Sequence, residues 1–189
     1  MSIIFGQGIC VDKYEMYVHR INDLTNEYVV NLLSNGLKSV TESELLNYSP
    51  NFKDHNSNIF YILSQGRYKM GAYFVVENNG EYVCSSGWNE YDSSTALVLT
   101  RSYVAKPYRT TYPMATLLLP LMIEETASYE NTWLTCNSSS PRLYEWFVRA
   151  AQGKSPAMFN NWPDIYRRFK PIGEKNIYYT PQLVAQLER

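Results

Sequence analysis

Between Thr95 and Val148 the chain reads strand, helix, strand, helix, and that order restricts its fold more than any other feature. The run TALVLTRSYV at 95–104 is rich in β-branched and aromatic residues and suits a strand buried on both faces. Lys106 to Met114 follows with two prolines, and Pro113 fits the first turn of a helix, where its missing N–H would have had no partner. The helix is expected over 113–129. A short apolar strand at 132–136 comes next, and Ser140 can then cap a second helix that starts at Pro141 and carries Leu143 to Val148. Two strands joined by a helix are expected to be parallel neighbours with a right-handed crossover.

Upstream, the clearest local signal is Asn79-Gly80 between the apolar runs 71–77 and 81–86, which predicts a hairpin with a type I′ turn. Met16 and Val18 alternate as in a half-buried strand over 11–21. Tyr28, Val29, Leu32 and Leu33 recur at helical spacing, and Asn35-Gly36 is expected to end that helix. A second short helix is expected over 42–47 and a loop over 49–57, while 59–63 is open between strand and helical turn. Past Gly153, prolines at 156, 163 and 171 divide the tail. A helical turn is expected at 165–169, a last strand at 175–180 and a closing helix at 183–187.

With 189 residues the chain is long enough for one domain with a substantial core, and no internal repeat or linker divides it. A formal charge of −1 with no lysine- or arginine-rich run argues against nucleic-acid binding, which depends on phosphate neutralisation. Cys10, Cys84 and Cys136 are odd in number and widely spaced, so neither a disulfide framework nor a thiolate metal site is expected, and a reducing cytoplasmic setting fits. The longest apolar run, Leu117 to Ile123, contains Pro120 and is far short of the ~20 residues of a membrane helix. His19 and His55 lack ligand spacing, so no metal is expected. No Gly-x-Ser-x-Gly elbow of a serine hydrolase occurs.

Two blocks inside the 95–148 stretch carry a resemblance. Val104, then Tyr108-Arg109, then a five-residue turn and a Leu-Leu helix, is similar to motif A of the GNAT acyltransferase superfamily. Asn137, Ser140, Leu143-Tyr144-Glu145 and Phe147 are similar to its motif B. With the hairpin, the resemblance covers about residues 68–151 of a single domain, 1–189. It implies an α/β (α+β) fold with a GNAT-like mixed, mostly antiparallel central sheet flanked by helices. It also implies an N-acyltransferase that moves an acetyl or acyl group from acetyl-coenzyme A or another acyl-coenzyme A to a small-molecule or other amine acceptor, with no metal. Oligomeric state is left open, a dimer included.

The resemblance places the donor against Tyr103, Val104, Arg109, Thr110, Thr111, Tyr112, Met114, Ala115 and Asn137. Tyr144 falls where many members hold a tyrosine near the thioester sulfur, and its phenol can protonate the leaving thiolate; packing on a helix face is the alternative. Where the family has glycines, this chain has Thr110, Tyr112 and Met114, whose side chains crowd the approach of backbone amides to a pyrophosphate. The run Thr100 to Val104 is also similar to a strand of the acyl-homoserine-lactone synthases, whose donor is acyl carrier protein, although Val98 stands where they hold a glutamate. A donor on acyl carrier protein, or a GNAT fold that binds without turnover, therefore stands beside the first reading. Arg101 is the lone charge in its strand and needs a carboxylate partner or a cleft; it is the candidate acceptor-binding residue. By alternation Leu97, Leu99, Arg101 and Tyr103 share one face. Glu90, followed by Asp92, is the nearest candidate base for the attacking amine, with solvated loop acids the alternative.

Overall fold

A computed structural model describes residues 8–11, 14–21, 27–39, 71–109, 113–137, 145, 149 and 167–189. The strands are β1 (Gly8–Val11), β2 (Tyr14–Ile21), β3 (Gly71–Asn78), β4 (Glu81–Asp92), β5 (Thr95–Val104), β6 (Asn131–Asn137), β7 (Phe169–Ile177) and β8 (Thr180–Leu187). They form one eight-stranded sheet in the order β1-β2-β3-β4-β5-β6-β8-β7. Among the described residues only β5 and β6 run parallel; every other adjacent pair is antiparallel. The mixed, mostly antiparallel sheet and the parallel pair are as the sequence predicts.

The β3–β4 hairpin lies inside the sheet, and both strands are buried along most of their length. Asn79 and Gly80 both take positive φ, 49° and 82°, as a type I′ turn requires. Helix α1 (Glu27–Ser39) buries Val29, Leu32, Leu33 and Leu37 at helical spacing against this sheet. Each such side chain contributes ~1.5–3 kcal/mol of burial. The helix does not end at Asn35-Gly36 but continues to Ser39. Gly36 lies against the Tyr82 ring, and a Cβ there would stand 2.0 Å from its Cγ. The glycine serves close helix–sheet approach rather than a helix end.

Between β5 and β6 the chain makes a 3₁₀ turn at Lys106–Tyr108, a π-helical turn at Met114–Leu118 and helix α2 (Leu119–Glu125). Pro120 explains the wide turn. It has no N–H, and its ring would meet the carbonyl four residues back in a regular α-helix. In the wider register the Leu119 N–H donates to the Met114 carbonyl. Helix α2 stops short of the expected Tyr129 because Thr126 turns back on it, donating from Oγ1 to the Met122 carbonyl at 2.8 Å. The Arg189 guanidinium then donates to the Thr126 and Ala127 carbonyls, covering the negative end of the helix with a cation.

The closing segment is corrected: 183–187 is not a helix but part of β8, paired with β6 from Gln182↔Asn137 to Gln186↔Trp133 and with β7 on its other side. Its apolar run suits either state, and a place between two strands decides it. Of the expected turn at 165–169, residues 167–168 are 3₁₀ and Phe169 begins β7. The elements expected at 42–47, 49–57 and 59–63 lie outside the described residues. So does most of the second helix, of which Glu145 and Arg149 are helical and exposed. No helix of the described residues is long and apolar enough to cross a membrane.

Candidate active site

The parallel strands separate partway along. Pairing runs Thr95↔Asn131, Ala96↔Thr132, Leu97↔Trp133 and Val98↔Leu134, and there it ends, although β5 continues to Val104 and β6 to Asn137. At that point β5 is irregular. Leu99 has φ 65° and Arg101 φ 50°, and the register with β4 shifts on both sides of Gly87. A left-handed residue other than glycine costs ~1–2 kcal/mol, and two in one strand persist only where the surroundings over-determine them.

Hydroxyl groups supply that constraint. Tyr73 on β3, 1% exposed, donates to the Arg101 carbonyl at 2.8 Å. Its oxygen lies 2.9 Å from Ser85 Oγ, which lies 2.6 Å from the Tyr82 hydroxyl. Each hydroxyl has one proton, so the chain runs Tyr82 to Ser85 to Tyr73 to the Arg101 carbonyl. Ser102 donates to the Leu99 carbonyl at 2.9 Å, which leaves Ser86 to donate to Ser102 across 2.7 Å. Both left-handed residues thus have their carbonyls held by hydroxyl chains that begin on β4. Burial raises the Tyr73 and Tyr82 phenols well above their ordinary range, so both stay protonated donors. Sequence reading missed this network; two adjacent serines in the buried strand β4 were its trace.

The bulge also corrects the expected alternation. Leu97 packs with Ile177 and Val184, whereas Leu99 and Tyr103 belong to the main core. Arg101 is half-buried, and its charge partly offsets the effect of burial on the Tyr73 phenol. Tyr103 is buried and its carbonyl lies 3.4 Å from the Tyr82 hydroxyl; Val104 is partly buried against the core. Tyr108 is buried too, accepting from Asn78 Nδ2 at 3.2 Å and donating to Glu81 Oε2 at 3.3 Å, which fastens the turn to the central hairpin. Arg109 is exposed and donates through Nε to the Val104 carbonyl at 3.1 Å. Met114 is buried in the main core at the helix start. Ala115 lies in the π-helical turn and Asn137 ends β6. Thr110, Thr111, Tyr112 and Tyr144 lie outside the described residues.

Glu90 stands apart from this group. It pairs with Ala96, near the start of β5, and its carboxylate accepts from the Tyr129 hydroxyl at 2.8 Å. Asp92 accepts from the Ser94 N–H at 2.8 Å in the turn that opens β5, and this bond holds its carboxyl below the usual range. His19 is half-buried with Nε2 3.5 Å from Glu77. Among the described residues no group of three or more His, Cys, Asp or Glu could hold a metal ion.

Solved structures share this fold. An acetyltransferase from Streptococcus agalactiae 2603 matches with a TM-score of 0.55 at 16% identity, over 92% of this chain and 98% of that one. A GNAT-family acetyltransferase from Staphylococcus aureus Mu50 matches with a TM-score of 0.58 at 14% identity, over 90% and 98%. RimL, a ribosomal L7/L12 α-N-protein acetyltransferase in complex with coenzyme A, matches with a TM-score of 0.58 at 12% identity, over 95% and 97%. No protein-family model and no curated protein sequence matches the chain. Strand order, the one parallel pair and these likenesses lead to one conclusion: the chain has the GNAT acetyltransferase fold.

Proposed function

We propose that this protein is an N-acyltransferase that moves an acetyl or acyl group from acyl-coenzyme A to an amine acceptor. The observation that carries the reading is the separation of β5 from β6 after Val98 and Leu134. Past that pair β5 and β6 make no further pairing among the described residues, and an extended donor arm bearing amide groups can lie between them. Lys106 and Arg109 add two cations to the turn after β5, which suits a donor carrying phosphates. RimL was solved with coenzyme A, which supports the same donor class here.

In this reading the acceptor nitrogen attacks the thioester carbonyl, a C–N bond forms, the C–S bond breaks, and Tyr144 gives its proton to the departing thiolate. Asn137 at the end of β6 and the turn from Arg109 to Ala115 hold the donor, with Arg101 toward the acceptor. Glu90, near the start of β5 with its carboxylate accepting from Tyr129, is the base proposed for the acceptor's proton, directly or through water.

A donor carried by acyl carrier protein is the second reading. It is favoured by Thr110, Tyr112 and Met114 standing where motif A has glycines.

The test is to incubate the protein with acetyl-coenzyme A and a panel of amines, following thiol release and product mass. Amine-dependent thiol release supports the proposal, and Arg109→Ala should weaken coenzyme A binding by about tenfold, the scale of one charge-assisted hydrogen bond. Turnover with acyl-carrier-protein thioesters but not coenzyme A thioesters would select the second reading. No turnover with either would leave a binding protein.

A further inference from the structure

We propose that Tyr73 and Ser102 are positioning residues for the acyl donor: their hydroxyls hold the Arg101 and Leu99 carbonyls in left-handed peptides, and so keep β5 turned away from β6. This rests on the proposed acyltransferase reading and extends it to residues outside motifs A and B. Three observations carry it. The first left-handed residue, Leu99, directly follows the last residue of β5 paired with β6, Val98. Both left-handed residues, and not one alone, end a hydroxyl chain. The donors behind the bulge are buried, Ser85 and Ser86 at 0% exposure and Tyr73 at 1%, while Ser102 itself is partly buried; water therefore has little access to replace a lost Tyr73 hydroxyl.

In a trans peptide the N–H points opposite the C=O. Fixing the Arg101 carbonyl on Tyr73 therefore also fixes the direction of the Ser102 N–H, and fixing the Leu99 carbonyl on Ser102 does the same for Thr100. The bulge is held from the β3–β4 side, which leaves its other edge to the gap. Without the hydroxyls, Leu99 and Arg101 would relax toward ordinary strand geometry, and the entry to the gap would change shape.

The experiment compares the parent with Tyr73→Phe, Ser102→Ala, Ser102→Thr and, as a control, Trp88→Phe. Trp88→Phe removes a partly buried hydrogen bond from β4 to Glu125 on α2. Coenzyme A affinity is measured by calorimetric titration and the melting temperature of each unliganded variant is recorded. Tyr73→Phe and Ser102→Ala should each weaken coenzyme A by about tenfold, the scale of one hydrogen bond. Ser102→Thr, which keeps the hydroxyl, should retain affinity, and Trp88→Phe should lower the melting temperature without changing affinity. A merely structural role predicts lower melting temperatures with parental affinity in all variants, and that result overturns the proposal. Should Tyr73→Phe fail to fold, the two Ser102 variants decide it alone. A parent that binds neither coenzyme A nor acetyl-coenzyme A overturns the acyl-coenzyme A reading itself, and the positioning role with it. That outcome is distinct from a binding parent whose variants bind equally well.

Discussion

Val98 faces Leu134 across the parallel strands, and theirs is the last pair that β5 and β6 make among the described residues. A crossover helix joins the strands, and the bulge begins at Leu99, where their pairing ends. The candidate site is therefore made by main-chain geometry before any catalytic side chain is considered.

Gly36→Ala separates helix propensity from packing. Propensity alone favours alanine by about 1 kcal/mol. The added Cβ would fall 2.0 Å from Tyr82 Cγ, and overpacking of this kind costs ~1–3 kcal/mol or more. Urea unfolding should show a net loss of about 1 kcal/mol or more. A stabilised variant would mean that α1 does not approach Tyr82 as described.

Arg20, Glu125 and Trp88 tie β2, α2 and β4 together. Glu125 accepts from Arg20 Nε at 2.9 Å and from Trp88 Nε1 at 2.7 Å, with the carboxylate side chain only 19% exposed. Glu125→Ala should destabilise the protein by about 3 kcal/mol because it strips two partners at once. In that background Trp88→Phe should cost about 1 kcal/mol less than in the parent. Full additivity in equilibrium unfolding would exclude the shared bond.

Alkaline stability follows from the tyrosines. Burial and the bond to Glu90 push the Tyr129 phenol up to about 12 from 10.0, and burial raises Tyr73 and Tyr82 in the same direction. Above pH 10 the unfolded chain loses these protons first, so the stabilisation is complete below that pH and is lost as pH rises through about 12. Urea midpoints across this window should fall, and Tyr129→Phe should flatten part of the decline. A parent midpoint that stays level would contradict the burial of these phenols.

For Tyr144 the two roles leave opposite traces. As general acid, Tyr144→Phe should lower turnover by ~10²–10⁴-fold while leaving the melting temperature near the parent's. A fully active variant would reduce Tyr144 to a packed aromatic.

Much of the sheet could be read from local chemistry. Asn79-Gly80 names its turn because few residues tolerate two positive φ values in succession, and the order of strands and helices from Thr95 onward implied the parallel pair. The bulge could not be read, since nothing about a leucine and an arginine in an apolar strand announces left-handed backbone; it is imposed by Tyr73, Ser102 and their partners on other strands. Gly36 misled for a related reason. Asn-Gly is a local turn signal, but here the glycine answers to Tyr82, distant in sequence. Tyr178 and Tyr179 turn the β7–β8 hairpin with φ 49° and 64°, where the β3–β4 hairpin uses Asn-Gly, so the strand pairing of 183–187 had no turn signal before it.

The most direct measurement is a titration of coenzyme A followed by backbone amide resonances. The account predicts saturable shifts concentrated at residues 99–104 of β5 and 135–137 of β6, where the strands have separated. Saturable binding that leaves those amides unmoved, or no binding by coenzyme A or acetyl-coenzyme A, would contradict it.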